Sequence, residues 1–223
     1  MRYIGCMQLV LTPELILEAY RHGLFPMAYN AGSPYVQWIC PEMRGQLSIP
    51  DLHISKSLLK TLRRAPYRVT FNQAFAAVID ACAAATNKRP ETWINKAIRD
   101  VFCALHAKGH AHSLECWQEE ELVGGIYGLA IGGAFFGESM FSRARDASKI
   151  ALVHLIARCW QGGFTLFDTQ FVNDHIRQFG AYEVPFDAYK EQLQQAILLP
   201  ATLKAGGVAA ADILESYLAV RRL

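Results

Sequence analysis

The sequence lacks several features that would assign it to a common class of protein. It has no excess charge of one sign, because 22 lysines and arginines face 20 aspartates and glutamates, leaving a formal net charge of +2. Its six cysteines form no C-x-x-C pair, and no apolar run reaches the roughly 20 residues that span a membrane. The first residues also lack a signal-peptide pattern. We therefore expect a cytoplasmic protein with reduced, buried thiols, whose nucleic-acid contacts come from local charge clusters.

Nucleotide, hydrolase and metal motifs are missing as well. No Walker-type G-K-[ST] occurs, residues 124–128 lack G-x-G-x-x-G order, and residues 137–141 end on Phe where a hydrolase elbow needs Gly. His106 and His110 have the i, i+4 spacing of a zinc site, but Gly109 ends the helix between them. We therefore predict neither a cofactor nor a metal site, and we interpret these histidines as a cluster at a helix end.

Apolar residues are plentiful: 52% of the chain is hydrophobic and 19% charged, enough for a sizeable core. Capping, glycine and periodicity signals predict helices near residues 15–22, 55–64, 72–84, 95–108, 147–160, 174–179 and 186–197. Alternation predicts strands at 112–118, 121–131, 134–141 and 164–170. Residues 24–41 are rich in proline and predicted irregular, and the tail after Pro200 is predicted to be a flexible joint before a short helix. This order indicates an α+β fold, with a small N-terminal domain over residues 1–50 and a larger domain over 51–223.

Polar side chains interrupt the predicted strand 164–170 at its C-terminal end. Asp168 and Gln170 are two residues apart, so strand alternation predicts that they point to one face. A carboxylate can orient a neighbouring amide, whose oxygen can accept a hydrogen bond from an incoming amine. Glu138 is a second acid among apolar neighbours, where a carboxylate needs a partner and often has a task. These three are our candidate catalytic residues.

Three further sets of side chains have both a functional and a structural interpretation. Apolar residues near Glu138 are candidates for a hydrophobic pocket, although spacing alone favours ordinary core: Ile126, Phe135, Met140, Leu152 and Leu155. Four cations share one face of the predicted helix 55–64, where they can neutralise phosphates or simply be solvated: Lys56, Lys60, Arg63 and Arg64. Trp38 and Trp93 lie in turn-rich segments, where they can stack on bases or belong to the core.

Seven segments together resemble the bacterial leucyl/phenylalanyl-tRNA–protein transferase family. They occur in the family's order between about Leu11 and Leu199: Gly23-Leu-Phe-Pro, Glu91-Thr-Trp-Ile, Gly109-His-Ala-His-Ser, Glu121-Leu-Val-Gly-Gly-Ile-Tyr-Gly, Phe136-Gly-Glu-Ser-Met-Phe-Ser, Ala147-Ser-Lys and Asp168-Thr-Gln-Phe-Val-Asn-Asp-His. One such block would be a weak signal, whereas seven in sequence are very specific. The departures are Met27, where many members have Trp, and Gln37-Trp38, where many have two adjacent Trp. The adenosine site implied below is therefore expected to be looser, or built partly by Trp38 alone.

The resemblance implies a cytoplasmic aminoacyltransferase that needs no cofactor. Such an enzyme moves Leu, Phe or less readily Met from aminoacyl-tRNA to proteins beginning with Lys or Arg, and so marks them for N-end-rule degradation. The implied larger domain has the acetyltransferase-like (GNAT) fold with a mixed, largely antiparallel sheet, and we expect a monomer without membrane contact. The implied reacting centre is Asp168 and Gln170 with Glu138 nearby, while Asn173 helps to hold the aminoacyl group. Trp38 and Trp93 would hold the terminal adenosine, the five apolar residues the side chain, and the four helix cations the acceptor stem.

Two rival functions remain open on the sequence. An acyl-CoA-dependent N-acyltransferase would keep the fold, but it usually carries a glycine-rich pyrophosphate turn, and residues 141–149 contain no glycine. A non-catalytic RNA-binding module would use only the basic helix and the tryptophans. In that module, replacing Asp168 or Gln170 would leave function intact.

Overall fold

A computed structural model describes the main chain of residues 2–7 and the residues of 10–86, 90–203 and 209–221. The strands in these ranges are β1 (Arg2–Met7), β2 (Phe25–Ala28), β3 (Val36–Cys40), β4 (Met43–Leu47), β5 (Arg68–Phe71), β6 (Ala111–Gln118), β7 (Glu121–Ile131), β8 (Ala134–Ser142), β9 (Leu166–Gln170) and β10 (Tyr182–Pro185). The helices are α1 (Pro13–Arg21), α2 (Lys56–Arg64), α3 (Phe75–Ala83), α4 (Lys96–Ala107), α5 (Ala147–Gln161), α6 (Asp174–Arg177), α7 (Phe186–Ala196) and α8 (Ala210–Val220). The predicted α+β class is confirmed.

The strands form two sheets of different size. A three-stranded sheet has the order β1-β3-β2, and a seven-stranded sheet has the order β10-β4-β9-β8-β7-β6-β5. Neighbouring strands of the larger sheet are antiparallel except β8 and β9, which are parallel. The larger sheet is therefore mixed and largely antiparallel, as predicted.

The parallel pair of β8 and β9 is short and opens at one end. Its register runs from Ala134 opposite Leu166 to Phe136 opposite Asp168, although β8 continues to Ser142 and β9 to Gln170. Beyond Phe136 the two strands follow their other neighbours, β7 and β4. A gap between adjacent strands therefore opens beside their C-terminal ends.

The core has two parts, one for each face of the larger sheet. One part joins α1, α3, α4 and α7 to the sheet, and the other joins α2, α5 and α8. Helix α5 is buried on most of its surface because it packs on the sheet with one side and on α8 with another. This explains why its sequence is apolar almost throughout instead of carrying one apolar stripe.

The prediction that residues 24–41 are irregular is wrong for two segments, which form β2 and β3. The prolines favoured a loop, but β2 is an edge strand, where Pro26 does not have to donate to a neighbour on its open side. Strands β4, β5 and β10 were also not predicted. Each has only four or five residues, and β4 contains a charged and a glycine residue, so periodicity is too weak to reveal them.

Strand β4 belongs to the larger sheet although it lies N-terminal to residue 50. The domain boundary at residues 50 and 51 remains a prediction. Helix α8 agrees with the short helix expected in the tail, while residues 204–208 of the expected joint lie outside the described part of the chain.

The described cysteines are not all buried as expected. Cys82, Cys116 and Cys159 are buried, whereas Cys40 and Cys103 are partly exposed. The side chain of Cys6 lies outside the described residues. Among the helices that the structure describes, none has the length and apolar character needed to cross a membrane.

Candidate active site

A cavity of about 280 Å³ occupies the gap where β8 and β9 separate. Its apolar wall includes Ile126 from β7, Met140 from β8 and Leu152 from α5. Trp93 closes another side, and Asn173 and His175 border the cavity at the beginning of α6. The cavity thus combines one apolar wall, suited to a small apolar group, with several polar side chains on its other sides.

Glu138 of β8 brings a carboxylate to this cavity. The hydroxyl of Tyr20, a buried residue of α1, donates a hydrogen bond to Oε1 of Glu138 at 2.8 Å. Burial raises the pKa of Glu138 to about 8, against its ordinary 4.5, and the negative charge of Asp168 acts in the same direction. A carboxyl group with this pKa can exchange a proton with an amine near neutral pH.

Asp168 lies behind the cavity and is fully buried in a polar cluster. Nε of Arg44 donates to both carboxylate oxygens, at 2.9 and 3.0 Å, and Nη2 donates to Oδ2 at 2.7 Å. The hydroxyl of Tyr189 donates to Oδ2 at 2.5 Å, and the main-chain N–H of Gln170 donates to Oδ1 at 2.7 Å. Each carboxylate oxygen is therefore hydrogen-bonded, as a buried charge requires.

Arg44 is itself held on several sides. Its Nη1 donates to the main-chain oxygen of Gly23 at 2.9 Å. Its guanidinium lies over the rings of Phe25 and Tyr189, 4.8 and 4.7 Å from their centroids. Gly23 and Phe25 follow α1. The ion pair between Arg44 and Asp168 therefore connects the N-terminal part of the chain to the end of β9.

Gln170 ends β9 in a strained conformation. Its φ is +58°, in the left-handed region that residues other than glycine rarely adopt. Gly45 lies opposite it, where a Cβ would come within 2.7 Å of the main chain of Phe171, so this close approach needs glycine. The amide orientation that satisfies its surroundings donates from Nε2 to the main-chain oxygens of Gly137 at 2.9 Å and Thr169 at 3.1 Å. In this orientation the amide oxygen of Gln170 points away from these two main-chain oxygens.

The geometry of Asp168 and Gln170 differs from the sequence prediction. The pairing of β9 with β4 contains a bulge, so that Asp168 lies opposite Gln46 and Gln170 opposite Gly45. The simple alternation that placed both side chains on one face does not hold here, because a bulge inserts an extra residue into one strand. Asp168 acts on Gln170 through its main-chain N–H and not through its side-chain amide.

The structure separates the predicted pocket residues into two groups. Ile126, Met140 and Leu152 line the cavity, whereas Phe135 and Leu155 are fully buried in the core behind it. The two tryptophans separate similarly: Trp93 lines the cavity, but Trp38 lies half-buried on β3 and is not among the lining residues. Asn173 borders the cavity, although its Oδ1 also accepts from the N–H of Ile176 and so caps α6.

Comparisons with known proteins give the family of this chain. The family profile of leucyl/phenylalanyl-tRNA protein transferase matches residues 46–194, and the profile of that family's N-terminal domain matches residues 10–42. A leucyl/phenylalanyl-tRNA–protein transferase of Rhodopseudomonas palustris strain HaA2 is 46% identical over 214 residues, which cover 93% of this chain and 96% of that protein. The corresponding protein of strain TIE-1 is 50% identical over 187 residues, 84% of this chain and 83% of that protein. The chain belongs to the leucyl/phenylalanyl-tRNA protein transferase family. The larger profile includes all of β8 and β9, the strands between which the cavity lies.

The helix that the family resemblance marks for tRNA is accessible. Lys56, Lys60, Arg63 and Arg64 of α2 are exposed, while Leu58 and Leu62 on the opposite side are buried. The hydroxyl of Ser55 caps this helix by accepting from the N–H of Leu58. A single amphipathic helix thus presents four cations to solvent.

Three residues around the site were not predicted from the sequence: Arg44, Tyr20 and Tyr189. Arg44 lies in a five-residue strand without a recognisable pattern, and the other two occupy apolar faces of amphipathic helices. Their burial was visible from helical spacing, but spacing does not reveal that two hydroxyls point at carboxylates of distant strands.

Among the described residues, no group of three or more His, Cys, Asp and Glu side chains is arranged to hold a metal ion. His106 instead hydrogen-bonds the main-chain oxygen of Ala111 and stacks on Phe75. A second cavity, of about 350 Å³, lies between α2, α5 and α8 and contains none of the predicted catalytic residues.

Proposed function

We propose that this protein transfers Leu or Phe, and less readily Met, from aminoacyl-tRNA to the amino terminus of proteins that begin with Lys or Arg. The acceptor's α-amine attacks the ester carbonyl, a C–N bond forms, and the C–O bond to the terminal adenosine breaks. The amine loses a proton, and the leaving ribose oxygen gains one. The ester is already activated, so positioning of the two reactants supplies much of the catalysis. The product is marked for N-end-rule degradation.

The cavity between β8 and β9, with its apolar wall beside polar groups, is the observation that carries this proposal. It places an apolar wall of Ile126, Met140 and Leu152 next to the carboxyl group of Glu138. An aminoacyl ester of Leu or Phe needs both: an apolar space for its side chain and a polar group near its carbonyl for the acceptor. Shape would disfavour the β-branched Ile and Val, but a methylene distinguishes substrates by only about 1–3 kcal/mol, so tolerance of Met is expected.

Glu138 is suited to the acceptor amine. An α-ammonium group has a pKa of about 7.7–8.0, close to the value of about 8 to which burial raises the pKa of Glu138. Proton transfer between the two is therefore nearly balanced, and the amine can become nucleophilic when it binds. The hydrogen bond from Tyr20 keeps one carboxyl oxygen occupied and leaves the other for the substrate.

Gln170 would accept a hydrogen bond from the attacking amine through its amide oxygen. Two main-chain oxygens hold its amide nitrogen, which orients the oxygen away from them. Asp168 would act as a positioning residue, because it holds the main-chain N–H of Gln170 and is itself closed off from the cavity by burial. Asn173 would help to hold the donor's aminoacyl group at the cavity edge.

The donor's RNA would bind outside the cavity. Trp93, which lines the cavity, would contact the terminal adenosine, and Trp38 would extend this contact from β3. The four exposed cations of α2 would follow the acceptor stem, because phosphates are bound mainly by local positive charge.

We also propose the GNAT fold for the larger domain. The parallel pair inside an otherwise antiparallel sheet, opening at the strand ends to hold the reacting group, supports this assignment. The domain boundary near residue 50, a monomeric state and operation in the cytoplasm, where charged tRNA is available, complete the proposal.

The direct test varies both substrates. tRNA charged with Leu, Phe, Met or Ile is offered with peptides beginning with Arg, Lys or Ala, and the products are identified by mass spectrometry. We expect transfer of Leu and Phe, less of Met and least of Ile, to Arg and Lys peptides only. Acetyl-CoA as the sole donor should modify no peptide. Acetylation, or transfer without regard to the donor side chain, would refute the proposed donor site.

A further inference from the structure

The cavity and the basic face of α2 are joined by the segment that leads from β8 into α5. Met140 of the cavity wall lies in β8, and residues 143–146 connect that strand to α5. Three cations occur here within seven residues: Arg143, Arg145 and Lys149. These three cations belong neither to the cavity lining nor to α2. An RNA bound both on α2 and in the cavity would pass along this segment.

Lys149 is not a lining residue of the cavity, but it lies near two residues that are, Leu152 and His175. It is one helical turn before Leu152, which lines the cavity, so the two side chains share a face of α5. Its charge also lowers the pKa of His175 on the cavity's other side, an effect second to the burial of His175. Nζ of Lys149 is 3.4 Å from Oδ1 of Asp146 and remains partly exposed.

Arg145 continues from Lys149 toward α2. Nε of Arg145 is 3.7 Å from Oδ2 of the same Asp146, and its side chain is 94% exposed. The main-chain oxygen of Arg145 accepts a hydrogen bond from the hydroxyl of Tyr67 at 2.8 Å. Tyr67 follows Arg64 by three residues, so this bond fixes the loop against the C-terminal end of α2.

Arg143 does not belong to this path. Its Nη1 donates to the main-chain oxygen of Leu122 at 3.1 Å, and its guanidinium lies over the ring of Phe141. Along the path itself, Lys149 and Arg145 share one carboxylate, that of Asp146, so positive charge is in excess. The exposed guanidinium of Arg145 can therefore take a phosphate oxygen without breaking a buried contact.

We propose that Arg145 and Lys149 bind phosphodiesters of the single-stranded 3′ end of the donor tRNA, between the cavity and α2. This inference rests on the proposed function, since it assumes that the aminoacyl group enters the cavity while the stem lies on α2. Lys149 would contact the phosphate nearer to the aminoacylated adenosine, and Arg145 the one nearer to the stem. The ligand is thus a short single-stranded RNA segment, recognised by its charge and not by its bases.

Three phenylalanyl donors separate this contact from the others. Phenylalanyl-adenosine has no phosphodiester, the phenylalanyl trinucleotide CCA has the phosphodiesters of the 3′ end but no stem, and phenylalanyl-tRNA has both. The variants are Arg145→Gln with Lys149→Gln, and Lys60→Gln with Arg63→Gln on α2. Lys190→Gln is the matched control, because Lys190 is an exposed cation of α7, on the opposite face of the sheet. Transfer to an Arg peptide is measured as kcat/KM.

We expect the Arg145 and Lys149 variant to lose roughly tenfold in kcat/KM with the trinucleotide and with tRNA, and less than about twofold with phenylalanyl-adenosine. The slope of log kcat/KM against log salt should flatten by about 0.7 for each lost phosphate contact. The α2 variant should lose activity with tRNA alone, and the charge-conserving pair Arg145→Lys with Lys149→Arg should stay close to the parent protein.

An unchanged kcat/KM with the trinucleotide would overturn the inference, and so would an equal loss with all three donors, because that result would mean a damaged cavity or fold. Failure of the parent protein to use any phenylalanyl donor would instead refute the proposed function. The two failures are therefore distinguishable.

Discussion

Replacing Arg44 with Met removes the cation from the buried cluster that holds the end of β9. The side chains have similar length, so the main loss is the charge and its hydrogen bonds to Asp168 and Gly23. Asp168 has no access to solvent and, within the described part of the chain, keeps the bonds from Tyr189 and the Gln170 N–H. Breaking a buried ion pair in this way costs about 3–5 kcal/mol of unfolding free energy. That loss is a large fraction of the total stability of a domain.

A double-mutant cycle assigns this cost to the pair. Asp168→Asn in the Arg44→Met background removes the uncompensated charge, so we expect about 2 kcal/mol to be recovered relative to Arg44→Met alone. Urea unfolding of the four proteins, followed by circular dichroism, gives the coupling energy. Arg68→Met is the matched control, because Arg68 is exposed and its carboxylate partner, Glu120, lies 3.8 Å away, so this pair is worth at most about 1 kcal/mol.

Activity adds a second measurement. At a temperature where Arg44→Met is folded, we expect transfer to fall because Gln170 is no longer held, while the affinity for uncharged tRNA stays near that of the parent protein. A loss of less than about 0.5 kcal/mol, the scatter expected for surface changes, would refute this account of the cluster.

Two further predictions concern Glu138 and Gln170. Between pH 4.5 and about pH 8 the folded protein keeps a proton on Glu138 that the unfolded chain has lost, so the stability contributed by this group falls as pH rises through that window. The unfolding free energy of Glu138→Gln, compared with that of the parent protein, should therefore increase from pH 5 to pH 9. At 1.36 kcal/mol per pKa unit the increase is up to about 5 kcal/mol. A difference in urea unfolding that does not change with pH would contradict the raised pKa. Gln170→Gly removes the left-handed strain at φ +58°, so we expect unchanged or slightly higher stability, by about 1 kcal/mol, together with loss of peptide transfer. Full activity of Gln170→Gly, measured with radiolabelled Leu and an Arg peptide, would exclude the amide from the reaction.

Elements with a strong local signal were predicted well from the sequence. The cap at Thr12, the proline at the start of α1 and the stop at Gly23 all occur as expected, because these signals act within one turn of the chain. The long strands β6, β7 and β8 also match, since their alternation extends over many residues. The short strand β4 was missed because its main-chain partners lie 120 residues or more away, at β9 and β10.

The candidate site was only partly visible from the sequence. Glu138, Met140 and Trp93 border one cavity, but Phe135 and Leu155 have the same apolar character as Met140 and belong to the core. Residue type does not distinguish a cavity wall from the layer behind it, because both are apolar. The difference depends on where two strands separate, which is a property of sheet pairing.

Asp168 and Arg44 show which properties the sequence determines by itself and which depend on the tertiary structure. The sequence by itself determined which chemical groups are present, the order of the elements and the membership in the family. Only the tertiary structure decided that Arg44 meets Asp168 across 124 positions of the chain, and that a bulge turns Gln170 away from simple strand alternation. The physical reason is that local spacing controls the main chain over a few residues, whereas a buried charge is paired by whichever partner the packed sheets bring within hydrogen-bond distance.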